Sequence, residues 1–333
     1  MDDPLVWVRG VHFAATLTVG GVVIFVAFIG DPAFRKADAG ARLPGIVRRR
    51  LAFIAWIGLA LTLASGAAWL ILVAQSMSDQ TLADVFSQGV LWTVALDTHF
   101  GRDWLARLVL ACFLAVLFVP FFSVKEERPG WITPAVVVVA ASLTGTIAWA
   151  GHAVGGLGLG GTIHLVADVL HLIAAAAWIG ALLPLAVTLA AARRTDDRKT
   201  TAATVAATAT ARFSTLGVVS VGTLLVTGSI NTWYLAGSIP ALTGTDYGHL
   251  LLLKIALFLG MVAIAAVNRL ILMPRLDVGG SANTTREALR QLHRNVLLEI
   301  AAGGSVLAIV AVLGVTPPGG DEQAMPHAYH ETH

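Results

Sequence analysis

The sequence predicts an all-α membrane bundle of about eight transmembrane helices with both termini extracytoplasmic. Three observations carry that reading. Of the 333 residues 56% are hydrophobic and 13% are charged, with a mean hydropathy of +0.78, a balance no soluble domain of this size holds. The apolar residues gather into runs long enough to cross a bilayer. Lys and Arg crowd alternate connections between those runs.

The runs cover about 5–30, 51–75, 104–123, 131–151, 163–192, 212–237, 249–273 and 295–315. The first follows Met-Asp-Asp-Pro, which lacks the basic start of a cleavable signal, and it is too long for a signal's apolar stretch, so it reads as an uncleaved span. The connections near 31–50, 124–130, 193–212 and 269–294 hold 18 of the 22 Lys and Arg, all but Arg9, Arg102, Arg107 and Lys254. That excess assigns those four connections to the cytoplasm and both ends to the outside. The segment 76–103, with four aspartates and Trp92, is read as an outer loop with a short interfacial helix. The segment 151–163 is uncharged and rich in glycine. No strand precedes its glycines and no basic residue stands near, so it is not a nucleotide loop. No convincing internal repeat and no linker emerge: 1–318 reads as a single transmembrane domain and 319–333 as a His-containing periplasmic tail.

The single cysteine, Cys112, excludes a disulfide or a thiolate cluster within one chain. Histidine is the notable residue. Nine of the ten lie in the outer half or beyond it, with only His293 on the cytoplasmic side. His164, Asp168 and His171 open the fifth run at spacings of four and three, which place all three on one helix face. Ionisable groups at membrane depth are costly and usually face a bundle interior or a polar pathway. Imidazole with carboxylate suits copper, zinc, iron or nickel. His12 in the first run sits at the depth of His171, with His152 and His99 nearer the surface, so the metal-site candidates are His164, His171, Asp168, His12, His152 and His99. Asp168 is either a ligand or the acceptor that orients an imidazole. A lone intramembrane histidine is more often a hydrogen-bonding residue between helices, and that plain reading applies first to His12. Lys254 needs an acidic or carbonyl partner, with Asp246 or Asp168 in reach, and a buried pair between Arg269 and Glu299 is expected. Trp178 is expected to pack.

The motif His164-Leu-Val-Ala-Asp-Val-Leu-His171, continued by Ala-Ala-Ala-Ala-Trp-Ile-Gly180, resembles the CopD family of copper-resistance membrane proteins. So do Arg212-Phe-Ser-Thr-Leu-Gly217, Thr227-Gly-Ser-Ile-Asn-Thr-Trp233, Thr245-Asp-Tyr-Gly-His-Leu-Leu-Leu-Leu-Lys254, Asn268-Arg269, the segment 289–299 and Pro317-Pro318. The likeness is dense over 164–318 and looser before it. It implies a bacterial inner-membrane protein that handles copper and is not an enzyme, served by a periplasmic copper-binding protein of the CopC type as a separate chain. Nothing points to nucleic acid, and no Gly-x-x-x-x-Gly-Lys loop is present to bind a nucleotide. A different reading of the same histidines is a membrane haem b held by His12 and His171 as axial ligands.

Overall fold

The computed structural model describes residues 4–38, 40–123, 128–150, 158–194, 199–276 and 282–316, and among these it is helical throughout, without strands. The first span is α1 (Pro4–Phe25), a π-helical turn (Val26–Gly30) and α2 (Asp31–Phe34). Span 2 is α3 (Leu43–Ser78), followed by the short helices α4 (Leu82–Ser87) and α5 (Val90–Asp97). Span 3 is α6 (His99–Phe122), and span 4 is α7 (Ile132–Gly145) with a closing 3-10 turn. Span 5 joins α8 (Gly158–Ala175) to α9 (Ala181–Arg194) through a second π turn (Ala176–Gly180). Span 6 is α10 (Lys199–Ala236), and the short α11 (Ile239–Gly244) precedes span 7, α12 (Asp246–Val267), which ends in a third π turn (Asn268–Leu272). Span 8 is α13 (Ala282–Leu313). Eight helical stretches are therefore long and apolar enough to cross a membrane.

The helices outrun the apolar segments that announce them. α3 starts at Leu43 and α10 at Lys199, ahead of the hydrophobic edges at 51 and 212, because a nucleated helix propagates through polar turns that hydropathy does not register. The helices α4, α6, α11 and α12 start at caps: Thr81, Thr98, Ser238 and Thr245 each accept a backbone N–H three residues on, which satisfies one of the orphan donors of a helix start. The interfacial helix expected in 76–103 is realised as two, α4 and α5. A further short helix, α11, stands before span 7, where hydropathy marks none.

The first span is the centre of the bundle. It packs on α3, α7, α9 and α13, whereas α12 turns Leu252, Leu253 and Leu259 outward, as a lipid-facing helix does. The closest approach is the crossing of α1 with the π turn of span 5. A Cβ on Gly21 would meet the Gly180 carbonyl carbon at 2.1 Å, and one on Gly180 would meet the Leu17 oxygen at 2.1 Å. Small residues at a crossing let backbones touch, which is how helices gain contact in a solvent as apolar as they are. Trp178 is buried and meets Phe258 edge-on, so it packs as expected. Cys112 lies exposed on α6.

Asp31 ties the connection between spans 1 and 2 to that between spans 3 and 4, its carboxylate pairing with both Arg48 and Arg128. The expected Arg269–Glu299 pair does not form. Glu299 accepts instead from Asn268 Nδ2 at 2.7 Å, and Asn268 Oδ1 accepts from Asn295 Nδ2 at 2.8 Å, while Arg269 donates to Ser214 at 2.7 Å. Adjacent helical residues point about 100° apart, so only one of Asn268 and Arg269 can face α13. The neutral amide takes the buried side, where a guanidinium would be costly to desolvate.

Candidate functional site

Span 5 carries its polar face into a cavity of about 560 Å³, bounded by α1, α8, α10, α11, α12 and α13. His164, Asp168 and His171 all line it, together with Lys254, Asn231 and Arg9, so the face drawn from spacing is the face the fold turns inward. The rest of the wall is mostly apolar, as ligand cavities commonly are.

The three candidate side chains on α8 each meet α10. His164 stacks on Tyr234, with ring centroids 5.0 Å apart and planes 6° from parallel. Asn231 Nδ2 donates to Asp168 Oδ1 at 3.1 Å. His171 Nδ1 lies 3.0 Å from Thr227 Oγ1, and that hydroxyl already gives its proton to the Thr223 carbonyl at 2.7 Å. The threonine oxygen can then only accept, so the network assigns the proton to Nδ1 and leaves a lone pair on His171 Nε2. A neutral imidazole with one nitrogen anchored and the other bare is the form that ligates a metal.

Lys254 enters the same cavity from α12. It makes no hydrogen bond or ion pair among the described residues, and its charge is felt by both Asp168 and His171. Of the two carboxylates expected to pair with it, Asp168 shares its cavity, without an ion pair between them. At 1.5 Å of rise per residue, His164, Asp168 and His171 stand about 6 and 4.5 Å apart along the helix axis. They form a ladder rather than one closed cage: among the described residues no three His, Cys, Asp or Glu side chains gather around a point that could hold a metal ion.

The other candidates lie elsewhere. His12 is buried against α3, with Nδ1 3.1 Å from Ser65 Oγ, and it lines a separate cavity of about 20 Å³ with Thr62, Gly66, Trp104 and Arg107. The shared pocket expected for His12 and His171 is thus divided between two cavities, each lined by one of the pair. His99 begins α6 and accepts from Arg102 at 3.2 Å, lining neither cavity. His152 and the histidines of the tail fall outside the described residues. Sequence reasoning missed Ser65, Thr227, Asn231 and Tyr234, whose hydrogen bonds and stacking hold the imidazoles and the carboxylate. Small polar residues in apolar helices were the available signal, but many such hydroxyls only return to their own helix, as those of Thr18 and Thr188 do.

Two family models match the chain: "copper resistance protein D" over residues 207–313 and "copper resistance protein D-like, N-terminal domain" over 1–162. Copper resistance protein D of Pseudomonas syringae pv. tomato is 29% identical over 322 residues, 96% of this chain and 98% of that one. Inner membrane protein YebZ of Escherichia coli (strain K12) is 30% identical over 312 residues, 93% and 97% of the two chains. Copper transport protein CutJ of Bacillus subtilis (strain 168) is 26% identical over 251 residues, 74% of this chain and 42% of that one. With eight apolar spans and similarity along nearly the whole length to an inner-membrane relative, this is a multi-pass inner-membrane protein. The chain belongs to the CopD family of copper resistance proteins.

Proposed function

We propose that the chain takes copper from the extracytoplasmic side and moves it inward along the ladder His164, Asp168, His171. The observation that carries this is the arrangement at His171: Thr227 holds Nδ1, which leaves the lone pair on Nε2 of a ring that lines the same cavity as Asp168 and His164. Two donors at a time, spaced by about a turn, favour handover above tight storage, because an ion held by few ligands leaves easily. The names of the relatives from Pseudomonas and Bacillus, copper resistance and copper transport, support copper as the cargo. The basic connections support an orientation with both termini and the α4, α5 and α11 loops outside, and with them the mouth of the ladder. A periplasmic CopC-type protein, as a separate chain, is the donor this orientation suits, and no catalytic step is assigned. His152, six residues before Gly158 in the sequence, and His99 at the start of α6 are entry residues in this scheme.

The test is copper content of the purified protein and copper uptake into proteoliposomes, for the parent and a His164→Ala/His171→Ala variant. The parent binds and transports, and the variant loses both. A parent that binds no copper, or a variant that binds as well as the parent, overturns the reading. A Soret band in the parent would put haem in place of copper.

A further inference from the structure

The two halves of the chain repeat one another around their histidines. His12 is followed nine residues later by Gly21, and His171 nine residues later by Gly180; these are the two glycines whose backbones touch where span 1 crosses span 5. In span 2, Arg50 precedes Ser65-Gly66 by 15 residues, and in span 6 Arg212 precedes Thr227-Gly228 by 15. Each hydroxyl meets its histidine's Nδ1, at 3.1 and 3.0 Å, while donating to a carbonyl four residues back. Each glycine faces the same edge of the ring: a Cβ on Gly66 would lie 3.4 Å from His12 Cε1, and one on Gly228 would lie 3.5 Å from His171 Cε1. Spans 3 and 7 each follow a short helix and open on a Thr-x-x-Gly cap, Thr98 to Gly101 at 2.9 Å and Thr245 to Gly248 at 3.0 Å. Nine residues after each threonine stands a cation, Arg107 or Lys254, and each acts electrostatically on the histidine of its own half. Imidazole, hydroxyl, glycine, capping threonine and cation thus recur on equivalent spans.

The copies differ where it matters for a metal. Three residues before His171 stands Asp168, and three before His12 stands Arg9; seven before them stand His164 and Leu5. The guanidinium carbons of Arg9 and Arg107 lie 5.2 and 5.6 Å from the ring of Trp69, which itself packs edge-on to His12. Arg9 lines the large cavity, but Arg107 lines the small one beside His12, so a metal ion at His12 would meet that guanidinium with no carboxylate on the wall, where the cavity of His171 offers Asp168. His12 Nε2 and Arg107 Nε and Nη1 are buried without a hydrogen-bond partner, and His12 and Arg107 both line the small cavity. Its volume, about 20 Å³, exceeds the roughly 10–15 Å³ that one water requires. Ser65 gives its own proton to Leu61 at 2.5 Å, so His12 carries its proton on Nδ1 and Nε2 accepts. A group bridging these atoms must accept from Arg107 and donate to His12. A halide cannot donate and a metal cation cannot accept, whereas a water molecule does both.

We infer that the chain is built from two copies of a four-span unit, and that the first copy keeps the histidine site as a water site between His12 and Arg107, leaving the second copy as the one metal site. This rests on the copper reading above for the second copy only. The experiment is copper titration of the purified parent, His12→Gln and His171→Gln proteins, with a copper-edge anomalous map of the parent. The expected result is one copper per parent chain, an unchanged stoichiometry and affinity in His12→Gln, loss in His171→Gln, and anomalous density in the large cavity alone. Copper density at His12, or loss of copper in a folded His12→Gln protein, overturns the inference while leaving the copper reading standing. A parent that binds no copper overturns that reading and this assignment of sites with it. If His12→Gln does not fold, the map on the parent decides, with a water peak within hydrogen-bond distance of His12 Nε2 and Arg107 in support and an ion there against.

Discussion

His171 illustrates how a neighbour decides what an intramembrane imidazole can do. Its ring is anchored through Nδ1 by a threonine whose own proton is spoken for, and removing that anchor frees the ring to turn and to exchange tautomers. Thr227→Val, similar in shape but without the oxygen, is therefore expected to weaken copper binding by about 10–100-fold, the usual effect of losing a partner that orients a ligand, while the protein stays folded; competition against a copper chelator measures it. Binding needs a neutral imidazole, so copper affinity falls as pH drops through the range where histidine protonates, and a titration at constant chelator strength reads that slope. At the inner end of span 7, Asn268 joins Glu299 to Asn295. Asn268→Ala leaves both partners short of a bond and is expected to destabilise by about 1–3 kcal/mol, seen as a lower melting temperature with copper binding unchanged.

Among elements, the contact of span 1 with the π turn of span 5 has no room for a side chain. Gly21→Ala or Gly180→Ala would drive a methyl group into backbone at 2.1 Å, which no rotamer relieves, so either variant is expected to lose the monodisperse peak in detergent size-exclusion chromatography. Gly222, where an added methyl group would meet nothing within 4 Å, is the control: Gly222→Ala is neutral or stabilising by about 0.5–1 kcal/mol because it lowers the entropy cost of helix formation. At this scale much was legible. Every apolar run became a span, and the polar face of span 5 became a cavity wall. The two short helices before α6, and α11 before α12, were blurred because six to eight residues leave little periodicity to read. The repeat between the halves is faint in the sequence because its residues sit at matching positions on helices otherwise filled by interchangeable Ala, Val and Leu.

For the whole molecule, the charge distribution predicts sidedness. Reporter fusions at residue 316 and in the segment 76–103 should be active as alkaline phosphatase and dark as green fluorescent protein, and fusions in the segment 193–198 should do the reverse; the opposite pattern would invert the direction proposed for copper.

The number of spans, the family and the inward face of span 5 followed from the residues alone, because lipid leaves a backbone no way to hide its polar groups except in long apolar helices and makes an ionisable face expensive anywhere but inside. Which helices meet is another matter. Against a solvent of hydrocarbon chains, one apolar helix face is as good as another, so hydropathy is silent on lateral packing. Only the folded bundle could set His12 beside Ser65 and Arg107 in a cavity of its own, turn Asn268 instead of Arg269 toward Glu299, and bring Gly21 onto Gly180.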